Sequence, residues 1–514
     1  MAEALPIEQH EPGDKPMKVY LPDDPRETFT EERVFALCGP MGSPVHEVAC
    51  KLEELLTSKY GYECEIIKLS DFIKKHCKDI DESSEYHRIS SLIAAGNRLR
   101  NVNGSDVLAK LTVQRILETR MQDEADQKGK QLRRKCFIVD SIKNQAEFDM
   151  LKVVYHELLF FIGVFSTEEA RLKALLKKKM SKTDAHKLIA DDSGDNATGD
   201  DKESGQTVRK TFPQADFFVR IDEFSGQLET KIGRFLNLIF NSIIITPTKD
   251  ERAMYFAASA AGNSSCLSRQ VGACLTDKEG EVLALGWNDV PKYGGGLYPY
   301  DADDSQDKKS DARCFCCSGS KCANDENKDN MVHEIVHALQ KNGLTQDRDS
   351  KSVAKIIRGS KISGLIEYSR AIHAEMVALL SAGHNAGNKI RGGTLYCTTY
   401  PCHNCARHMV AAGISKVFYI QPYPKSLALE LHGDSISEND NEAEKMKILA
   451  FDGIAPKRYL DFFTLKSELR KQMFAGKKVV SVRARPKNDV SLESIKVLES
   501  LVVKNLEGSF KDEK

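Results

Sequence analysis

The chain has 514 residues, with 74 basic and 75 acidic side chains and a formal net charge of −1, so there is no bulk attraction to nucleic acid and only a local basic patch stays open. Its length exceeds the roughly 250–300 residues at which single cores stop growing, so more than one domain is expected. No apolar run reaches the ~18 residues of a membrane span, and "MAEALPIEQHEPGDKP" lacks the apolar centre of a signal peptide. A cytoplasmic location without a membrane partner is the expectation, with the 14 cysteines reduced.

Residues 1–30 carry Pro, Asp and Glu without hydrophobic periodicity and read as a flexible tail. In "RVFALCGPMGSPVHEVACKLEELL" a short apolar run meets a Gly/Pro turn. An amphipathic helix follows, with Val45, Val48, Ala49, Leu52, Leu55 and Leu56 at helical spacing. Strand, glycine loop and helix start together make an anion cradle, so Gly39, Gly42 and Ser43 are candidates for holding a nucleotide phosphate. A Walker A loop also needs Lys and Ser/Thr after its last glycine; no Lys follows Gly42 or Ser43, and phosphoryl transfer is not expected. "VDS" at Val139–Ser141 reads as a Walker B-like strand end or as a buried strand with a solvated Asp. Strands alternate with helices over 31–245, which predicts a parallel α/β sheet. Ala190–Gln206 is polar and acidic and reads as a mobile loop.

A second domain is predicted over 248–470. It opens on the helix "KDERAMYFAASAAGNS" and a hairpin turning at Asp277–Gly280, then alternates helices and strands from "YSRAIHAEMVALLSAG" onward. Residues 293–360 interrupt this pattern as an insertion. Inside it, Cys314, Cys316, Cys317 and Cys322 are candidates for a second, structural zinc completed by His333 or His337, against a reading as free thiols. "VHEIVH" would place His333 and His337 on one helix face with Glu334 as a base, as in a zinc protease. The following "ALQKNG" supplies no third histidine, so an ordinary helix of the insertion is preferred. Residues 471–514 form a charged, weakly structured C-terminal extension.

Two segments carry the chemistry. "AIHAEM" gives H-x-E and "TYPCHNCARHM" gives P-C-x-x-C, the pair that marks zinc nucleobase deaminases. Cys402 and Cys405 sit one turn apart at a helix start, where the dipole favours thiolates. His373 supplies a nitrogen, and a water completes a Zn²⁺ tetrahedron. Glu375, two residues beyond His373, reaches that water without ligating the metal and acts as the catalytic proton shuttle. A non-catalytic zinc knuckle and a Cys402–Cys405 redox pair are the alternatives; the H-x-E partner argues against both.

On these residues the second domain resembles the deoxycytidylate deaminases. "SRQVGACL" (Ser268–Leu275) is similar to the strand before their active site, and "GWNDVP" (Gly286–Pro291) to their G-Y-N-G-x-P segment. Trp287 stands for Tyr and Asp289 for Gly. The resemblance implies an α/β/α cytidine-deaminase-like fold, zinc, a deoxycytidine nucleotide substrate and an Asn288 contact to its sugar. Over about 31–470 the chain resembles the bacterial anti-phage dCTP deaminases. That implies an N-terminal P-loop nucleotide-kinase-like domain and depletion of the deoxycytidine nucleotide pool. A homo-oligomer is expected, and the anion-favouring loop at Gly39–Pro44, with the need to restrain a toxic deaminase, points to a regulatory nucleotide or inhibitory partner at the N-terminal domain. The rival readings are a polynucleotide deaminase acting on RNA or single-stranded DNA and a nucleotide-sensing module with a deaminase effector. The first wants a basic groove with aromatic platforms, and the deaminase half has no basic–aromatic run.

Overall fold

The computed structural model describes residues 24–126, 134–192, 205–221, 227–298, 311–316, 321–465, 471 and 484–509. The first sheet is built on β1 (Arg33–Cys38), every residue of which is buried. Val34, Ala36 and Cys38 face one core while Phe35 and Leu37 face the other, the period-two consequence of a strand covered on both sides. Its parallel companions are β2 (Glu63–Lys68), β3 (Lys135–Asp140), β4 (Leu159–Phe165) and β5 (Phe217–Arg220), in the spatial order β5-β4-β1-β3-β2. The intervening helices are α1 (Val45–Tyr60), α2 (Leu69–His76), α3 (Glu85–Asn103), α4 (Val107–Asp126), α5 (Gln145–Tyr155), α6 (Glu168–Lys177), α7 (Lys182–Asp192) and α8 (Leu228–Ile239). The six apolar residues read from the sequence of α1 are all buried against Phe35 and Leu37. Because β1 lies between β3 and β4, the loop leaving β1 sits at the reversal of strand order, where open parallel sheets bind ligands.

The second sheet contains β6 (Gly272–Thr276), β7 (Val282–Trp287), β8 (Thr394–Thr399), β9 (Lys416–Gln421), β10 (Ile436–Ser437) and β11 (Met446–Ala450), in the order β10-β11-β9-β8-β6-β7. β6 is antiparallel to both neighbours, and the others run parallel. The β6–β7 turn closes at Asp277–Gly280, as its sequence predicts. Its helices are α9 (Lys249–Ala261), α10 (Ala323–Lys341) and α11 (Ser350–Gly359) of the insertion, α12 (Ala374–Ala386) and α13 (His403–Ala412). The architecture is mixed α/β in both halves. Among the described residues no helix is long and apolar enough to cross a membrane.

Two departures from the sequence reading tie the halves together. The second domain does not keep everything to residue 470: β12 (Gly453–Ile454) pairs antiparallel with β5 as a sixth strand of the first sheet, and Phe462 is buried beside Phe160 and Phe235. The C-terminal extension is not loose throughout, because α14 (Leu492–Ser509) buries Ile495 and Leu506 in the first domain's core. Its Glu499 and the tail-proximal Glu32 both pair with Arg120 of α4, all three nearly inaccessible to water. A charged composition conceals such an element because its charge is neutralised by a residue far away in sequence.

Glu251 is the buried joint between the halves. Its carboxylate, with no exposed surface, receives both Arg234 Nη groups of α8 at 2.7 Å, the Thr248 amide at 2.8 Å and the Ile454 amide of β12 at 2.9 Å. Removing one partner of a buried pair strands the other, at a cost of about 3–5 kcal/mol. Glu251→Ala is therefore expected to lower unfolding free energy by that amount in urea titration; a loss under about 1 kcal/mol would mean water or a neighbour substitutes readily.

Candidate active site

The site forms where two helices begin over the ends of the second sheet. α12 lies directly on β7: a Cβ built on Gly286 would stand 2.2 Å from the Ala374 carbonyl oxygen and 2.6 Å from the Ala378 amide. That contact sets the height of His373, the extended residue capping α12, and of Glu375 in its first turn. Cys402 caps α13 and Cys405 follows three residues later, with the Cys405 amide donating to Cys402 Sγ at 3.4 Å. His373 Nδ1 lies 3.4 Å from Cys402 Sγ and 3.3 Å from Cys405 Sγ. Tetrahedral zinc, with Zn–S near 2.3 Å and Zn–N near 2.0 Å, needs N···S edges of about 3.5 Å. The three side chains fit that ion.

The charges are arranged accordingly. Hydrogen bonds from Cys405 and then His373 pull the Cys402 thiol down to about 4. The Cys402 contact lifts His373 to about 9. Burial pushes the Glu375 carboxyl above its usual range, opposed in part by His373. A carboxyl so placed can take up and release a proton within the reaction.

His373, Glu375 and Cys402 open into a cavity of about 290 Å³ whose other walls include Arg269, Asn288, Lys328, Thr399, Tyr423 and Lys425. Asn288 is buried on the cavity wall, and its amide is engaged twice: Oδ1 accepts from Val271 N at 2.7 Å and Nδ2 donates to Arg269 O at 2.8 Å. It thus braces the 269–271 backbone. Asp289, which departs from the resembled motif, accepts from the amide and hydroxyl of Ser265 and so fixes the neighbouring loop. Sequence reasoning missed Thr399, whose buried Oγ1 has no protein partner at the cavity edge; only its place just before P-C-x-x-C hinted at it.

Other expected sites are less assembled. Among the described residues, the one group of three His, Cys, Asp or Glu ligand atoms within 4.8 Å is His373, Cys402 and Cys405. Cys314, Cys316 and Cys322 are therefore not gathered as a triplet, and Cys317 lies outside the described residues. His333 and His337 are on α10, as H-E-x-x-H predicts, but both are exposed while Val332 and Val336 are buried.

The β1–α1 loop has a tenant of its own. The Met41 amide donates to Asp192 Oδ2 at 2.6 Å, and Lys143 Nζ bridges Asp192 Oδ1 at 2.9 Å and the Gly39 carbonyl at 2.8 Å. Ser43 Oγ is buried without a partner. Gly42 adopts φ +87°, and a Cβ there would meet Arg171 at 2.9 Å. Asp140 is buried rather than solvated, held 2.8 Å from His46 Nδ1. Neither Lys143 nor Asp192 is near the loop in sequence, which is why the loop looked as though it lacked a cation.

With this geometry in hand, comparison with known proteins is specific for one region. Residues 247–421 match the cytidine and deoxycytidylate deaminase zinc-binding region. The deoxycytidylate deaminase of Enterobacteria phage T4 is 27 % identical over 181 residues, covering 35 % of this chain and 80 % of the phage protein. That likeness supports a deaminase of the cytidine/deoxycytidylate family in this half. Among solved structures, the dCMP deaminase of cyanophage S-TIM5 in complex with dCMP and dUMP overlaps 40 % of this chain and 99 % of its own, at 18 % identity and a TM-score of 0.23. Shikimate kinase from Acinetobacter baumannii overlaps 42 % of this chain and 97 % of its own, at 13 % identity and a TM-score of 0.24.

The seating of α12 on Gly286 can be tested without touching a ligand. Gly286→Ala should lift the helix, cost about 1–3 kcal/mol by overpacking and reduce bound zinc per chain. Gly383→Ala on the same helix meets open space and should keep full zinc content in metal analysis. Equal zinc in both variants would mean that the helix start tolerates displacement.

Proposed function

We propose that the chain hydrolytically deaminates deoxycytidine nucleotides, dCTP and/or dCMP, to dUTP or dUMP and ammonia. The observation that carries this reading is the His373–Cys402–Cys405 triangle with buried Glu375 beside it in one cavity. His373, Cys402 and Cys405 would hold a zinc ion, which when bound would acidify a water to a pKa of about 7. Glu375 would accept a proton from the attacking water and deliver it to the ring nitrogen next to C4, then take the proton of the new C4 hydroxyl and pass it to the departing amine. The C4–N bond breaks, a C4–O bond replaces it, and water is the only co-reactant. The Asn288 wall and the braced 269–271 backbone offer the sugar side a rigid surface.

By the resemblance of the whole chain, the reaction serves to drain the deoxycytidine nucleotide pool in antiviral defence, in a cytoplasmic homo-oligomer. The N-terminal half is proposed as a nucleotide-kinase-like domain that keeps a phosphate cradle at Gly39, Gly42 and Ser43 for a regulatory nucleotide or inhibitory partner. The Asp192 carboxylate on the Met41 amide supports this, since it stands where a helix-start anion site accepts negative charge. Asp192→Asn is a cleaner probe of the loop than any substitution at Gly42, whose positive φ and contact with Arg171 would strain a side chain.

The decisive assay is ammonia release from dCTP, dCMP, CTP, cytidine and a cytosine-containing oligonucleotide, with zinc measured in parallel. Glu375→Ala is expected to keep zinc and lose about 10²–10⁴-fold in rate. His373→Ala and Cys402→Ala are expected to lose both. More than a tenth of wild-type turnover in zinc-replete Glu375→Ala protein would rule out the assigned proton route, and turnover of the oligonucleotide alone would favour the polynucleotide reading.

A further inference from the structure

Resting on the deaminase reading, we infer that the insertion between β7 and α12, through Lys328, and the loop after β9, through Lys425, together form a cationic clamp for the phosphate tail, and that this clamp selects the triphosphate over the monophosphate. Lys328 projects from α10 yet is only 6 % exposed. Its Nζ reaches the Ser363 carbonyl at 3.3 Å, and Lys425 Nζ, from the loop after β9, reaches the same carbonyl at 2.8 Å. Two ammonium groups thus converge on one neutral oxygen, in the cavity that also holds His373 and Glu375.

Arg269 lines the same cavity, with its guanidinium over the Tyr423 ring at 5.6 Å. Burial, and then repulsion from Lys328, Arg358 and Arg269, pulls the Lys425 ammonium below its usual range. The local carboxylates do not balance this charge. Asp325 and Asp329 are taken up by Arg358 at 3.1 and 2.6 Å, and Asp325 stands 3.8 Å from Lys328. Among the described residues, Lys425 and Arg269 form no ion pair with a carboxylate. Like charges held together in a partly buried wall are costly until an anion joins them.

The cations fall into two tiers. Arg269 belongs to the loop braced by Asn288, beside the surface proposed for the sugar. Lys328 and Lys425 belong to the insertion side of the cavity. A first phosphate is served by the Arg269 tier, and further phosphates by the lysine pair. A nucleoside engages neither, and a monophosphate engages chiefly the first.

The test uses full-length, zinc-loaded protein and two readouts. Calorimetric binding of dCTP and dCMP is measured on Glu375→Ala protein, alone and combined with Lys328→Met or Lys425→Met, which keep the aliphatic stem. Deamination of dCTP, dCMP and deoxycytidine is measured with the same lysine substitutions in the catalytically intact chain. Each lysine substitution is expected to weaken dCTP binding about tenfold or more, from the loss of a charge-assisted contact. It should raise the dCTP KM in parallel with little change in kcat, and alter dCMP binding by less than about threefold, with Lys328→Arg and Lys425→Arg restoring dCTP binding in part. Equal losses for dCTP and dCMP, or none, would overturn the clamp even if the wild type deaminates both. If the wild type deaminates nothing, the deaminase reading fails, and the binding ratio still decides whether the lysines hold a triphosphate.

Discussion

Gly286 has no side chain, and the depth at which α12 rests on β7 follows from that. With the helix backbone against the strand, His373 and Glu375 are delivered at a fixed height, and the start of α13 presents Cys402 and Cys405 to the same point. Both helix starts contribute unsatisfied N–H groups and positive dipole ends, which favour thiolate and carboxylate there. The candidate metal triangle is therefore a property of packing as much as of side-chain chemistry. A displacement of a few tenths of an ångström would already strain N···S edges of 3.3–3.4 Å.

The chemistry was the most legible part of the sequence because it is local. In the candidate site two thiols lie one helical turn apart and the carboxylate lies two residues from the histidine, so H-x-E and P-C-x-x-C are legible without the fold. The apolar stripe of α1 and the Asp277–Gly280 turn were readable for the same reason. What escaped was long-range. Glu251 meets Ile454 across 203 positions and Arg120 meets Glu499 across 379; no periodicity records such a partner. β12 is two residues long and exists only because β5 offers it an edge. Asp140 reads equally well as solvated in sequence, because its partner His46 at the start of α1 lies 94 positions away.

The halves share one interior. Ala253, Met254 and Cys274 of the second domain belong to the same buried cluster as Val34, Ala36 and Phe137 of the first. This continuity places a chain of contacts between the β1–α1 loop and the His373, Cys402 and Cys405 cluster. Arg171 Nη1 donates to the Met41 carbonyl at 3.3 Å, and its charge bears on half-buried Glu438. Glu438 lies close enough to Tyr400, two residues before Cys402, to affect its hydroxyl, and the Tyr400 ring packs edge-on against Tyr419. Coupling of about 1–3 kcal/mol would change activity several-fold to a hundredfold, and it needs an element with two arrangements rather than a mere chain of contacts. On the reading proposed above, Asp192 is the group a phosphate would displace, since its carboxylate holds both the Met41 amide and Lys143.

Net charge describes the whole surface, whereas recognition depends on a few buried or half-buried groups. The overall value of −1 argues against a polyanion tracked along an extended basic groove. It places no limit on a small cavity, where Arg269, Lys328 and Lys425 outnumber the one lining carboxylate on their side, Asp325. In a medium less polar than water each of those charges acts over a longer range than it would on the exterior. The near-neutral sequence and the cationic cavity are therefore compatible, and together they favour a compact anion that enters whole over a strand that passes by.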